Sequence, residues 1–268
     1  MILGAAIFCG WAGFKKLMTV SQVPGTRTMK LLLLDTETNG LPRNRYAPIS
    51  EPGAYPAILQ LSWAIYTVVG KTLIPGPQRD IGLALPPSVP WDTGAAAIHG
   101  ISEVEARSGT LPAEALADLA TALNSVDAVV AHNLAFDKSV IRAAGYAVGL
   151  RTLWPLGVQE FCTMKSTKDL VCIPATAKQA QYAELGAYKA PKLNELYGWL
   201  YGHAYDISGA TLHSAASDTH CLARCMAGLL RRGHLRVKDL TLIFSLSDSE
   251  SPCASPSRAA GAPSSARA

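Results

Sequence analysis

Charge is scarce in this chain. Of 268 residues only 16% are charged, and 24 basic against 20 acidic side chains leave a formal net charge of +4. A protein that wraps nucleic acid by bulk electrostatics needs far more, so +4 fits at most a local contact with a polyanion. Long apolar runs are missing too. No stretch reaches the roughly 18 uninterrupted apolar residues of a membrane span, which excludes a polytopic membrane protein and predicts no membrane partner. The six cysteines, Cys9, Cys162, Cys172, Cys221, Cys225 and Cys253, include no CxxC pair. In a chain of this length they do not make a disulfide framework, and a reducing, cytoplasmic compartment is expected. Cys221 and Cys225 stand four apart, the spacing of two small buried residues on one helix face; zinc would need two further close ligands, which are not evident. What is plentiful is apolar surface, at 49% of residues. That excludes disorder as the dominant state and suffices for the core of one large domain or two small ones.

The ends differ from the middle. Ile2–Phe14 is an apolar run of 13 residues whose positive charges, Lys15 and Lys16, follow it. A secretory signal carries its charge before the run, and Gly4, Gly10 and Gly13 weaken a helix here. Residues 1–28 therefore read as a poorly ordered extension, with Met29 a candidate start. From 243 to 268 the chain is rich in Ser, Ala and Pro and cannot bury enough surface to offset its ordering entropy. The expected folded unit is 29–242.

Within it, strands and helices alternate. Lys30–Asp35 is a short continuous apolar run, the pattern of a strand buried on both faces. Ile58–Val69 predicts a second, longer strand and Asp127–Ala131 a third. Helical spacing covers Pro112–Leu123, Phe136–Gly145, Lys192–Tyr201 and Ala215–Arg231, while Lys165–Ala190 has weak periodicity and reads as an irregular insertion.

Acids gather at the junctions. The first strand ends in Asp35-Thr36-Glu37-Thr38, and residues i and i+2 of a strand share a face. Asp35 and Glu37 would project together from its carboxyl end, where α/β folds place ligands; a turn at Asn39-Gly40 with incidental acids is the alternative. Asp137, in Ala131-His-Asn-Leu-Ala-Phe-Asp137, falls in a first helical turn, where a carboxylate also suits the helix dipole. Asn133 there suits a turn or cap as well. His213-Ser-Ala-Ala-Ser-Asp218 opens the last helix, with Asp218 on the side that Leu222, Cys225 and Leu229 continue toward the core. A core-facing carboxylate needs a partner. Two carboxylates about 5 Å apart repel by roughly 3 kcal/mol at an effective dielectric near 20, so four together call for cations. Oxygen-only ligands select Mg²⁺ or Mn²⁺, and a pair of such ions serves in-line displacement at phosphorus. His213, with an ordinary pKa near 6.5, suits the removal of a proton from the attacking water.

LLLLDTETNGLP, AAIHGIS at Ala96–Ser102, AHNLAFDKSVI and HSAASD resemble, in that order, the motifs of the DnaQ-like 3′–5′ exonucleases, the DEDDh branch of the ribonuclease H-like superfamily. The resemblance runs from about Lys30 to Leu230 and extends to Phe161-Cys-Thr-Met164 and Pro191–Tyr197. It is similar to single-domain phage and bacterial members and to the polymerase proofreading subunit. It implies an α/β fold with a mixed β-sheet flanked by α-helices. It also implies two Mg²⁺ or Mn²⁺ ions held by Asp35, Glu37, Asp137 and Asp218, with His213 as general base. The sister branch carries Tyr four residues before the last Asp, where this chain has Ser214. Thr36 and Thr38 match positions that approach the terminal nucleotide, His99 and Ile101 a segment near the terminal base, and Asn133 a further substrate-binding position.

The implied activity is removal of nucleoside 5′-monophosphates from single-stranded 3′ ends, DNA favoured, in proofreading or repair with a DNA polymerase as candidate partner. An exoribonuclease would use the same site. An aspartate-nucleophile phosphatase would need Asp at Glu37 and a downstream lysine. A polymerase-associated binding module is supported by Arg231–Lys238 and Pro42–Arg45, but has no need of five catalytic groups.

Overall fold

The computed structural model describes residues 28–180, 188–205 and 214–246. Residues 1–27 of the expected extension 1–28, residues 247–268 of the expected tail 243–268, and His213 lie outside the described residues. The first half holds β1 (Met29–Thr38), β2 (Ile58–Val69), β3 (Thr72–Gly82), α1 (Thr93–His99), α2 (Glu103–Arg107), α3 (Pro112–Leu123), β4 (Ala128–Ala131) and α4 (Leu134–Ala147). After these come β5 (Gln159–Cys162), α5 (Thr163–Ser166), α6 (Lys168–Val171), β6 (Ile173–Pro174), α7 (Ala177–Ala180), β7 (Tyr188–Lys189), α8 (Leu193–Tyr201), α9 (Ala215–Arg232), β8 (Leu235–Lys238) and β9 (Thr241–Phe244). Among the described residues no helix is long and apolar enough to cross a membrane.

A five-stranded mixed sheet in the order β3-β2-β1-β4-β5 forms the centre. β1 pairs antiparallel with β2 and parallel with β4, and β4 pairs parallel with β5. The run Leu31–Leu34 is fully buried because both faces of β1 are covered. Leu31 and Leu33 face Leu196, Leu222, Met226 and Leu229 from α8 and α9. Leu32 and Leu34 face Leu116, Leu119, Val140 and Ile141 from α3 and α4. Burying each such side chain is worth about 1.5–3 kcal/mol, so the apolar run that opens the fold also locks the strand carrying the acids. Cys221 and Cys225 are buried in the α9 face of this core.

The predicted strand at 58–69 matches β2, and the predicted helices match α3, α4, α8 and α9 to within two residues. β3 has no counterpart among the sequence expectations. It contains Pro75, Gly76 and Pro77 and is almost wholly exposed, the composition tolerated on a sheet edge. The expected irregular stretch Lys165–Ala190 contains the end of α5 and the short elements from α6 to β7.

Candidate active site

The site forms where β1 outlasts its neighbour β4. Pairing with β4 covers Leu31, Leu32 and Leu33 and then stops, whereas pairing with β2 continues to Thr38. The last turn of the strand thus projects past the parallel half of the sheet. Asp35 and Glu37 share the α9 side of β1, as the two-residue period requires. Asp218 stands in the first turn of α9, and ligand atoms of Asp35, Glu37 and Asp218 lie within 4.8 Å of one another.

Asp137 arrives from the opposite layer, in the first turn of α4. It is 3% exposed, and the Thr36 hydroxyl donates to its Oδ1 at 2.9 Å. Thr36 thus ties β1 to α4, and its own side chain is buried. Asp137 lies outside the tight trio, but its charge is felt there. Burial pushes the Asp35 carboxyl well up, and the negative charges of Asp137, Asp218 and Glu37 push it further. Glu37 is raised to about 8, by burial first and then by Asp218 and Asp137. Asp137 is raised by burial, against the lowering effect of the Thr36 hydrogen bond. Three carboxyls held above the carboxylate range, with Asp218 beside them, mark a site short of positive charge.

Asp218 is positioned through a contact between β2 and α9 that sequence reasoning missed. Gln60 of β2 stands opposite Glu37 in the β1–β2 register. Its Oε1 accepts from the Ala215 N–H at 3.0 Å, and its Nε2 donates to Asp80 Oδ1 at 2.9 Å. The first N–H of α9 is thereby fastened to the strand beside the acids. Ser214 caps the same helix by accepting from the Ser217 N–H. A polar residue inside the apolar stretch ILQLSW was the available clue. Gln60→Ala is expected to cost about 1 kcal/mol of stability and to lower turnover more than substrate affinity. Chemical denaturation beside steady-state kinetics reads both.

The remaining predicted positions scatter around this centre. The Thr38 hydroxyl donates to the Gly40 carbonyl at 2.8 Å, closing the turn after β1, where Gly40 takes φ +100°. Asn133 is exposed at the head of α4, and its side chain makes no capping bond. His99 ends α1 and is buried. Its Nδ1 accepts from the Ile101 N–H at 3.0 Å, so the neutral ring carries its proton on Nε2, and burial lowers its pKa. The ring meets Trp91 edge-on at 6.3 Å. Trp91 in turn lines a groove of about 1090 Å³ together with Asn39, Leu41, Arg43 and Tyr55, immediately after the acid-bearing end of β1. His99 therefore stands behind the groove wall.

No protein-family model matches this chain, and no curated protein sequence does either. Its fold does match solved structures. E. coli exonuclease I in complex with a dA16 oligonucleotide aligns at 18% identity and a TM-score of 0.54, over 76% of this chain and 41% of that one. A zinc-bound complex of E. coli exonuclease I with single-stranded DNA aligns at 17% identity and 0.55, over 77% and 41%. Exonuclease I from Methylocaldum szegediense gives 19% and 0.55, over 76% and 41%. The chain spans about two-fifths of the length of these proteins and shares their fold, the ribonuclease H-like mixed sheet flanked by helices.

Proposed function

We propose that this protein is a metal-dependent 3′–5′ exonuclease acting on single-stranded DNA. The observation that carries the reading is the trio Asp35, Glu37 and Asp218, delivered by β1 and α9 to one point at the open end of the sheet. The donor set is all oxygen, and the raised carboxyls mark a site that is short of positive charge, so it fits hard divalent ions. Asp35, Glu37 and Asp218 would hold Mg²⁺ or Mn²⁺, with Asp137 completing the set for a second ion. When bound, two such ions supply the positive charge that neutralises the scissile phosphate and the leaving 3′ oxygen.

The protein's own groups then divide the work. His213, five residues before Asp218, accepts the proton of the attacking water. The water oxygen bonds to phosphorus as the P–O3′ bond breaks; the freed 3′ oxygen takes a proton from solvent, and a nucleoside 5′-monophosphate leaves. The groove that begins at Asn39 and Gly40, just past Glu37 in the chain, has apolar walls from Leu41, Tyr55 and Trp91 and carries Arg43 as well as Glu51 and Asp92, a mixed lining that would suit the base and sugar of a terminal nucleotide. That exonuclease I has been captured with oligonucleotides on the same fold adds weight to a single-stranded substrate.

The test is digestion of 3′-labelled single-stranded DNA, mismatched duplex and RNA, each with Mg²⁺ and with EDTA. Release of mononucleotides from single-stranded DNA in Mg²⁺ alone is expected. His213→Ala should lower that rate by about 10²–10⁴-fold at neutral pH with the fold intact. Near-wild-type turnover of this variant, or digestion in EDTA, would contradict the assignment; preferential digestion of RNA would make it an exoribonuclease.

A further inference from the structure

The acids occupy one end of α9, and the far end carries the opposite charge. Arg224, Arg231 and Arg232 are exposed along its second half, and Arg236 and Lys238 follow on β8. Lys71, in the turn between β2 and β3, donates to the Arg231 carbonyl at 3.5 Å. Arg224 stands six residues past Asp218 and Arg231 thirteen, or about 9 and 20 Å along the helix axis.

The three arginines of α9 are held against aromatic rings. Arg224 and Arg231, seven residues apart on one helix face, each lie 5.6 Å from the centre of the Tyr201 ring. Arg231 donates to the Tyr201 hydroxyl at 2.7 Å, and that hydroxyl donates to the Arg224 carbonyl at 2.7 Å. Arg232 lies 5.0 Å over Trp199 and donates to the Leu200 carbonyl at 2.6 Å. Among the described residues, none of the five arginines and lysines of α9 and β8 is ion-paired to a carboxylate. Asp239 sits in the β8–β9 turn.

Cations crowded without counter-charge repel one another, and aromatic faces hold these guanidiniums in place at that cost. A guanidinium fixed on a ring still presents forked N–H groups, which match a phosphate in geometry and charge. We propose that this patch is a second nucleic-acid-binding surface, gripping the phosphodiester backbone of the strand whose 3′ end lies at the acids. The inference rests on the exonuclease reading. Their placement favours a nucleic acid over an acidic protein: cations stand about 9 and 20 Å along one helix that leads away from the acids, a run that an extended phosphodiester strand can follow. A mild net charge concentrated in this way gives a local grip without bulk attraction.

Binding can be separated from chemistry. Fluorescein-labelled dT20 and dT5 are titrated with full-length protein in EDTA and followed by anisotropy across a salt series. For Arg224→Gln/Arg231→Gln/Arg232→Gln the dT20 affinity should fall about tenfold and its log–log salt slope should shrink by about 2, while dT5, which at about 3.4 Å per nucleotide reaches Arg224 but not Arg231, should lose less. Those glutamines also remove packing on Tyr201 and Trp199. Arg236→Glu/Lys238→Glu, outside that seam, should therefore weaken dT20 in the same sense. Wild-type dT20 affinity in both variants overturns the proposal, and is the result for a surface that meets an acidic protein. Equal loss for dT5 and dT20 overturns it as well, because the patch would then not act at a distance. Hydrolysis of dT5 in Mg²⁺ reads the acids alone. Its absence beside intact patch-dependent binding would sink the nuclease reading and leave the patch standing.

Discussion

Asp35→Asn is expected to reduce exonuclease turnover by about a thousandfold or more, while the metal-free protein becomes harder to melt. The two effects have one source. Asp35 is the acid on which the charges of Asp137, Asp218 and Glu37 all converge, after burial itself. Asparagine keeps the shape and one acceptor oxygen but removes the charge. A hard divalent ion held by the trio would lose a charged ligand, and roughly 4 kcal/mol of transition-state stabilisation corresponds to a thousandfold in rate. Without metal, the same change relieves a repulsion that the fold otherwise contains only by keeping protons on buried carboxyls. The metal-free Tm should rise by about 3 °C or more. Turnover on labelled single-stranded DNA and calorimetry in EDTA read the two halves. An acid with a purely structural role would give a different pair of results, with stability falling and activity following it. Joint loss of both would sink the reading of Asp35 as a metal ligand.

The strand, the acids and their shared face were legible because they obey short-range rules. A continuous apolar run makes a buried strand, and alternation places Asp35 and Glu37 together whatever surrounds them. Asp218 was legible through the helical spacing of Leu222, Cys225 and Leu229, which are buried on α9. What the sequence concealed depends on register. Nothing in ILQLSW says that Gln60 stands opposite Glu37 and reaches Ala215, 155 positions away. Nor does Thr36, read only as a neighbour of the nucleotide, announce the bond to Asp137 across 101 residues. β3 was hidden for a different reason. Its prolines and charges are those of a loop, and it is a strand because β2 extends long enough to template an edge. The arginines after Leu230 were visible as a charge run, but their stacking on Tyr201 and Trp199 requires α8 to lie against α9.

Metal ions should stabilise this protein, and more so at pH 8 than at pH 5. The sign follows from Glu37. Its carboxyl titrates near 4.5 when unfolded and near 8 in the metal-free fold. Between those values the folded state binds more protons than the unfolded state, so stability falls as pH rises through the window and levels off above it. Asp35 and Asp137 are raised as well and act in the same direction. Divalent ions reverse the trend, because they bind the deprotonated site and compete with protons for it. At a hundred times the dissociation constant, binding adds about 2.7 kcal/mol, or roughly 5–10 °C in Tm for a chain of this size. Thermal scans from pH 5 to 8.5, with EDTA and with Mg²⁺ or Mn²⁺, should show the two curves diverging as pH rises. Glu37→Gln should flatten the EDTA curve and shrink the metal-induced gain. Parallel curves at all pH values would mean that the acids of β1 and α9 are not where the ions bind, and the proposed site would fall with them.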